Sequence, residues 1–133
     1  MADVRVTDTG RQFVIAVVDD ELAVREAAEN LLRSAGFCAE CFASAEDLLG
    51  SPRLWTTRCL VLDVGLPGMN GLQLQQHLLI LGLRVPIIFI TADEDVGGHI
   101  RTQALRAGAL AFLRKPFFDH DLLRAVQTAV GGC

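Results

Sequence analysis

The sequence predicts an α/β fold, a doubly wound parallel sheet of five strands with five helices. Three observations predict it. Short apolar runs rich in β-branched residues recur along the chain without polar alternation, as in strands buried on both faces. Segments with apolar residues at helical spacing separate them. Gly and Pro fall at the joints. Parallel strands linked by helices take right-handed crossovers, which place helices on both faces of the sheet.

The first strand is the run Phe13–Val18. A helix over 21–35 follows, with Val24, Ala28, Leu31, Leu32 and Ala35 on one face and Gly36 as its stop signal. Residues 38–43 read as the second strand. Ser44-Ala45-Glu46-Asp47 resembles a capping box that opens a short helix through Leu49, and Gly50-Ser51-Pro52 breaks it. The third strand covers 59–64, followed by a helix over 72–81 that ends near Gly82. The fourth strand covers 85–90, with Pro86 at its start, where a missing donor matters least. A helix over 100–107 stops at Gly108. The fifth strand covers 109–114, and the last helix 119–130 carries Leu122, Leu123, Val126 and Val130 on one face. One folded unit over 13–130 results. Residues 1–12 form a polar extension open to disorder, and 131–133 form a short tail.

Composition excludes several classes. No apolar stretch reaches the roughly 18 residues of a membrane span, and the polar start does not read as a signal peptide. A cytoplasmic protein is expected. The net charge of −4 argues against direct nucleic-acid binding, which shows a basic stripe. Cys38 and Cys41 have C-x-x-C spacing. On a strand an odd separation sends the two side chains to opposite faces, so buried or half-buried free thiols are expected rather than a chelate. Cys133 is terminal, with no candidate partner near it in sequence.

The polar residues that stand out all lie at the carboxyl ends of apolar runs: Asp19 and Asp20 after the first strand, Asp63 in the third, Thr91 after the fourth, Lys115 after the fifth. In open parallel sheets the ligand crevice lies outside those ends. Burying a carboxylate such as Asp63 is costly without a partner. Three carboxylates in one crevice repel each other, and a divalent cation with hard oxygen ligands, Mg²⁺ or Mn²⁺, relieves this. Three carboxylates, one such ion and the Lys115 ammonium sum to zero charge, which admits a phosphoryl group. Asp63 is then the carboxylate placed as nucleophile. His77, His99 and His120 read as surface residues, so no general base joins the set. Blander readings stand beside these: Asp19 as a helix N-cap, Asp20 as a first-turn charge, Thr91 as a turn cap, Phe112 as core.

Four stretches carry a resemblance: Val17-Val18-Asp19-Asp20-Glu21, the run from Leu62 through Asp63 to Gly71, Ile90-Thr91-Ala92-Asp93, and Phe112-Leu113-Arg114-Lys115-Pro116-Phe117. The chain resembles a response regulator receiver domain of two-component signalling over essentially 13–130. Gly68-Met69-Asn70-Gly71 and Arg106-Ala107-Gly108-Ala109 are similar to the FixJ-type subgroup. The resemblance implies a flavodoxin-like sheet of strand order 2-1-3-4-5 and a phosphohistidine donor on a sensor histidine kinase or phosphotransfer protein. By it Asp63 is the phosphoacceptor. Asp20, Asp63 and the Gly65 carbonyl bind Mg²⁺, with Asp19 acting through water. Thr91 and Lys115 hold the phosphoryl oxygens, and the Phe112 rotamer follows Thr91. The Lys115-Pro116 bond is cis. The resemblance also implies an output domain or effector, and contacts or a homodimer through the fourth helix, fifth strand and fifth helix, where Arg101, Arg106, Arg114 and Arg124 lie.

Two departures matter. Gly65, two residues past Asp63, has no side chain where relatives carry a longer one, so the phosphoryl group is less shielded and its lifetime moderate to short; Asp93 could orient water. Gly97-Gly98 falls where the fourth helix should begin, and each Gly costs about 1 kcal/mol in a helix relative to Ala. A late start near His99 and a mobile preceding loop are expected. Competing readings are a haloacid dehalogenase-type aspartyl-phosphate hydrolase, which needs an Asp where Gly65 stands, and a degenerate receiver serving only as a binding module, which would lack a site residue.

Overall fold

The computed structural model describes residues 13–92 and 98–131. The elements run β1 (Val14–Val18), α1 (Leu22–Ser34), β2 (Ala39–Phe42), α2 (Ala45–Leu49), a 3-10 turn (Pro52–Thr56), β3 (Thr57–Asp63), α3 (Gly71–Ile80), β4 (Ile87–Thr91), α4 (His99–Arg106), β5 (Ala111–Arg114) and α5 (Asp119–Gly131). All strand pairs are parallel and the sheet order is β2-β1-β3-β4-β5, as expected.

The side-chain period of two divides the core between the two faces of the sheet. Val18, Leu60, Leu62 and Phe89 face one layer with Leu48 of α2, Leu74 and Leu78 of α3 and Ala104 of α4. Val17, Val61, Ile88 and Ile90 face the other, with Ala28 and Leu32 of α1 and Leu122 and Val126 of α5. Each such Val, Leu, Ile or Phe side chain contributes about 1.5–3 kcal/mol when fully buried. Among the described residues three helices cover one face and two the other, and the strand order reverses at β1, which opens a crevice between β1 and β3.

Several boundaries differ from the sequence reading. β3 starts at Thr57 rather than 59, because the 3-10 turn delivers the chain directly into the sheet. β4 starts at Ile87, leaving Val85 and Pro86 outside, and runs to Thr91, which is therefore the last strand residue rather than one after it. β5 starts at Ala111. α3 opens one residue early, at Gly71, behind a complete capping box of Asn70 and Gln73. At Ser44 the side chain accepts the Asp47 N–H at 3.0 Å. α4 does begin at His99, with Gly98 as an uncapped N-cap at φ 73°. Asp93, Gly97 and the predicted mobile segment before Gly98 lie outside the described residues, as do Cys133 and residues 1–12.

Two solvent-exposure expectations are corrected. Cys38 precedes β2 and is exposed rather than buried, whereas Cys41 is half-buried and Cys59 buried. His77 is half-buried on α3, while His99 and His120 are exposed. Trp55 is a surface residue on the 3-10 turn, 65% exposed.

Candidate functional site

The carboxyl ends of β1, β3, β4 and β5 bring the predicted residues together. Asp19 directly follows β1. Its backbone N–H is held by the Phe42 carbonyl of β2 (3.1 Å), and its carbonyl accepts from Arg25 Nη1 (2.8 Å). These bonds fix a side chain that is fully buried. Its Oδ1 accepts the Glu21 N–H at 2.8 Å, but the N-cap of α1 is Glu21, so Asp19 is not the cap that the blander reading made it. Asp20, next in the chain, is exposed at the crevice mouth.

Asp63 is the last residue of β3 and 5% exposed. Its Oδ1 accepts the Gly65 N–H at 3.3 Å. Behind it, the chain turns into α3 through Gly71, whose N–H bonds to the Val64 carbonyl. A Cβ on Gly71 would stand 2.5 Å from the Asp63 carbonyl oxygen, so that close approach requires glycine. Thr91 ends β4, is buried, and uses its carbonyl to accept the Lys115 N–H at 2.7 Å. With the cis Lys115-Pro116 bond, this sets the lysine at the end of β5.

Lys115 Nζ lies 2.9 Å from Asp19 Oδ2, 2.9 Å from Glu21 Oε1 and 3.7 Å from Asp63 Oδ2. Burial works against its charge, but the Asp19 and Glu21 carboxylates outweigh that and hold its pKa above the ordinary lysine value. Burial, reinforced by the neighbouring Asp19 charge, pushes the Asp63 carboxyl up, against the pull of Lys115 and the Gly65 N–H. Phe112 on β5 is half-buried, its ring centroid 6.0 Å from that of Phe89 on β4. Glu21 had no assigned role in the sequence reading. Its adjacency to the acidic pair was the available signal, but only the fold shows that it meets Lys115.

The Asp19, Asp20 and Asp63 carboxylates offer oxygens within 4.8 Å of one another, the one such metal-capable group among the described residues. Although the Lys115 ammonium is close to Asp19 Oδ2, that buried oxygen has no well-directed hydrogen bond. An all-oxygen set with an unsatisfied buried oxygen fits a hard divalent cation. Gly65 is open: a Cβ there would meet nothing within 4 Å. The arrangement suits a carboxylate nucleophile flanked by a cation and an acidic pair.

The family model of the response regulator receiver domain matches residues 15–127. Nodulation protein W of Bradyrhizobium diazoefficiens is 42% identical over 123 residues, covering 92% of this chain and 53% of that protein. The structure of response regulator StyR aligns with TM-score 0.81 at 43% identity, covering 90% of this chain and 60% of that one. The FixJ-N crystal structure aligns with TM-score 0.79 at 32% identity, covering 92% and 96%. The chain spans about half the length of the curated relatives it matches.

Proposed function

This chain belongs to the response regulator receiver domain family, and from that premise we propose that it is a phosphoacceptor switch that takes a phosphoryl group onto Asp63 from a phosphohistidine of a sensor kinase. An Asp63 oxygen forms the new bond to phosphorus as the phosphorus–nitrogen bond breaks. The electron pair leaves with the imidazole nitrogen, and no proton need be taken from the nucleophile. The observation that carries the reading is the burial of Asp63 at a strand end, 3.7 Å from Lys115 and within one oxygen cluster with Asp19 and Asp20.

Asp20, Asp63 and the Gly65 carbonyl would hold Mg²⁺ or Mn²⁺ directly, with Asp19 acting through water. The full burial of Asp19 and its contact with Lys115 support that outer role. When bound, the ion neutralises the carboxylates and stabilises charge on the phosphoryl oxygens. Lys115 holds one phosphoryl oxygen, for which it must give up part of its present bonding to Asp19 and Glu21. Thr91 donates its hydroxyl to another, and Phe112, packed beside Phe89 at the end of the sheet, follows Thr91. The cytoplasm, a cognate kinase and an output domain or effector complete the setting. The longer relatives named as regulatory proteins support such an output. The hydrolase alternative loses its ground, because Gly65 stands where its acid–base Asp would be.

Acetyl phosphate with Mg²⁺ is expected to add one phosphoryl group to the wild type and none to Asp63→Asn, read by intact mass. Followed over time, the label should decay with a moderate to short lifetime, because Gly65 leaves the acyl phosphate open to water. Labelling of the Asn variant refutes the acceptor, and a label that persists for many hours refutes the role of Gly65.

A further inference from the structure

Glu46 lies outside the acidic crevice, on α2, on the far side of the loop that leaves Asp63. Its Oε2 accepts the Met69 backbone N–H at 2.9 Å. The same oxygen is 2.9 Å from where a Cβ on Gly68 would stand, and Gly68 has φ +72°. The carboxylate is therefore fitted over bare backbone, at a position where a side chain would both strain the chain and displace it.

That backbone belongs to the 64–70 loop, which begins beside Asp63, carries Gly65 and ends at the N-cap of α3. Its last amides are satisfied in sequence. Met69 donates to Glu46, Asn70 to the Gln73 side chain (2.9 Å), and the following Gly71 to the Val64 carbonyl (3.0 Å). The second and third bonds are local to the loop and α3. The first reaches across 23 positions of sequence to another element. Leu66 anchors the middle of the loop in the core, but Gly65, Pro67 and Gly68 are exposed. Two glycines leave that stretch conformationally permissive unless something outside it fixes its path. The Met69 N–H keeps the Glu46 carboxyl below its ordinary pKa, so the group is ionised at neutral pH.

We propose that Glu46 is a positioning residue for the phosphoacceptor site: by holding Met69 it sets the path of the loop, aims the Gly65 carbonyl at the cation, and so tunes the affinity for Mg²⁺. The proposal rests on the reading of Asp63 and Gly65 as parts of a Mg²⁺ site. Groups that orient metal ligands without touching the metal commonly govern affinity, and an exposed one does so modestly.

The test uses the full chain as wild type, Glu46→Ala and Glu46→Gln. Mg²⁺ affinity is measured by calorimetry, phosphorylation by acetyl phosphate at limiting and saturating Mg²⁺, and Met69 amide exchange by NMR. Glu46→Ala is expected to bind Mg²⁺ about twofold to fivefold more weakly, to expose the Met69 amide to exchange, and to be phosphorylated slowly only at limiting Mg²⁺. Glu46→Gln, which keeps an acceptor oxygen, should recover most of the affinity, with melting temperature little changed in both. Unchanged Mg²⁺ affinity in Glu46→Ala overturns the proposal while leaving the phosphoacceptor reading intact. Wild type that binds no Mg²⁺ overturns that reading, and the proposal with it.

Discussion

Asp63 occupies a place that its own charge disfavours. It closes a buried strand, and both burial and the Asp19 carboxylate raise its pKa. The sign of the consequence follows from linkage. A carboxyl whose folded pKa lies above its unfolded value destabilises the fold as pH rises from the unfolded carboxylate range through that raised value. At neutral pH and without metal, Asp63→Asn is therefore expected to stabilise the protein. The gain should vanish under acid conditions where the wild-type carboxyl is protonated. Saturating Mg²⁺ should stabilise the wild type far more than the variant, by about 2.7 kcal/mol at a hundredfold excess over Kd. Urea melts with and without Mg²⁺ check all three, and an Asn variant less stable than wild type at neutral pH would contradict the account. Lys115 is not orphaned by the change, since Asp19 and Glu21 remain 2.9 Å away. Its elevated pKa adds stability that is fully present below the ordinary lysine value and lost only as strongly alkaline pH passes through the raised one.

Among the elements, the joints matter more than the bodies. The β3–α3 joint must bring helix backbone against the last strand residue, and Gly71 permits this. Gly71→Ala would push a methyl against the Asp63 carbonyl oxygen and the Val64 Cα, both backbone atoms that cannot step aside cheaply. A loss of about 2–3 kcal/mol is expected, with slower acetyl phosphate labelling because Asp63 shifts too. A variant with wild-type stability would show that the joint relaxes. The same joints explain which elements were legible. Long periodic runs such as those in α1 and α5 announce themselves, and β1 sits within a residue of its predicted bounds. In the sequence the 3-10 turn at Pro52–Thr56 shows only as a break. One turn has too few residues for periodicity, although Ser51 before Pro52 is a start signal, and its side chain does cap the Arg53 N–H. Strand starts at β3, β4 and β5 moved because they depend on where a neighbouring strand offers a partner. Ile87 of β4 meets Leu60 of β3, and Ala111 of β5 meets Ile88 of β4.

At the scale of the whole molecule, the sheet ends in β5, with α4 on one face and α5 on the other. By the family resemblance, that edge is where a homodimer is expected. Arg101, Arg106, Arg114 and Arg124 are exposed along it, with the partly exposed Leu105 and Leu110. Sedimentation is expected to shift toward dimer when the chain is held phosphorylated by acetyl phosphate and Mg²⁺, and Arg114→Glu should weaken the shift. An unchanged sedimentation coefficient on phosphorylation would rule out this face as a phosphate-driven interface. No helix among the described residues is long and apolar enough to cross a membrane.

Taken alone, the sequence determined the alternation of strands and helices and singled out Asp19, Asp20, Asp63, Thr91 and Lys115 as polar residues at strand ends. Burial leaves its mark in apolar periodicity, and a charged residue at the end of a buried run stands out against it. Tertiary structure alone decided what those residues touch: that Asp19 is wholly buried and Asp20 exposed, that Lys115 bonds Glu21 as well as Asp19, and that Glu46 reaches the Met69 amide. Such pairings join residues as many as 94 positions apart. They depend on the path of loops and the reach of side chains, and neither leaves a periodic trace along the chain.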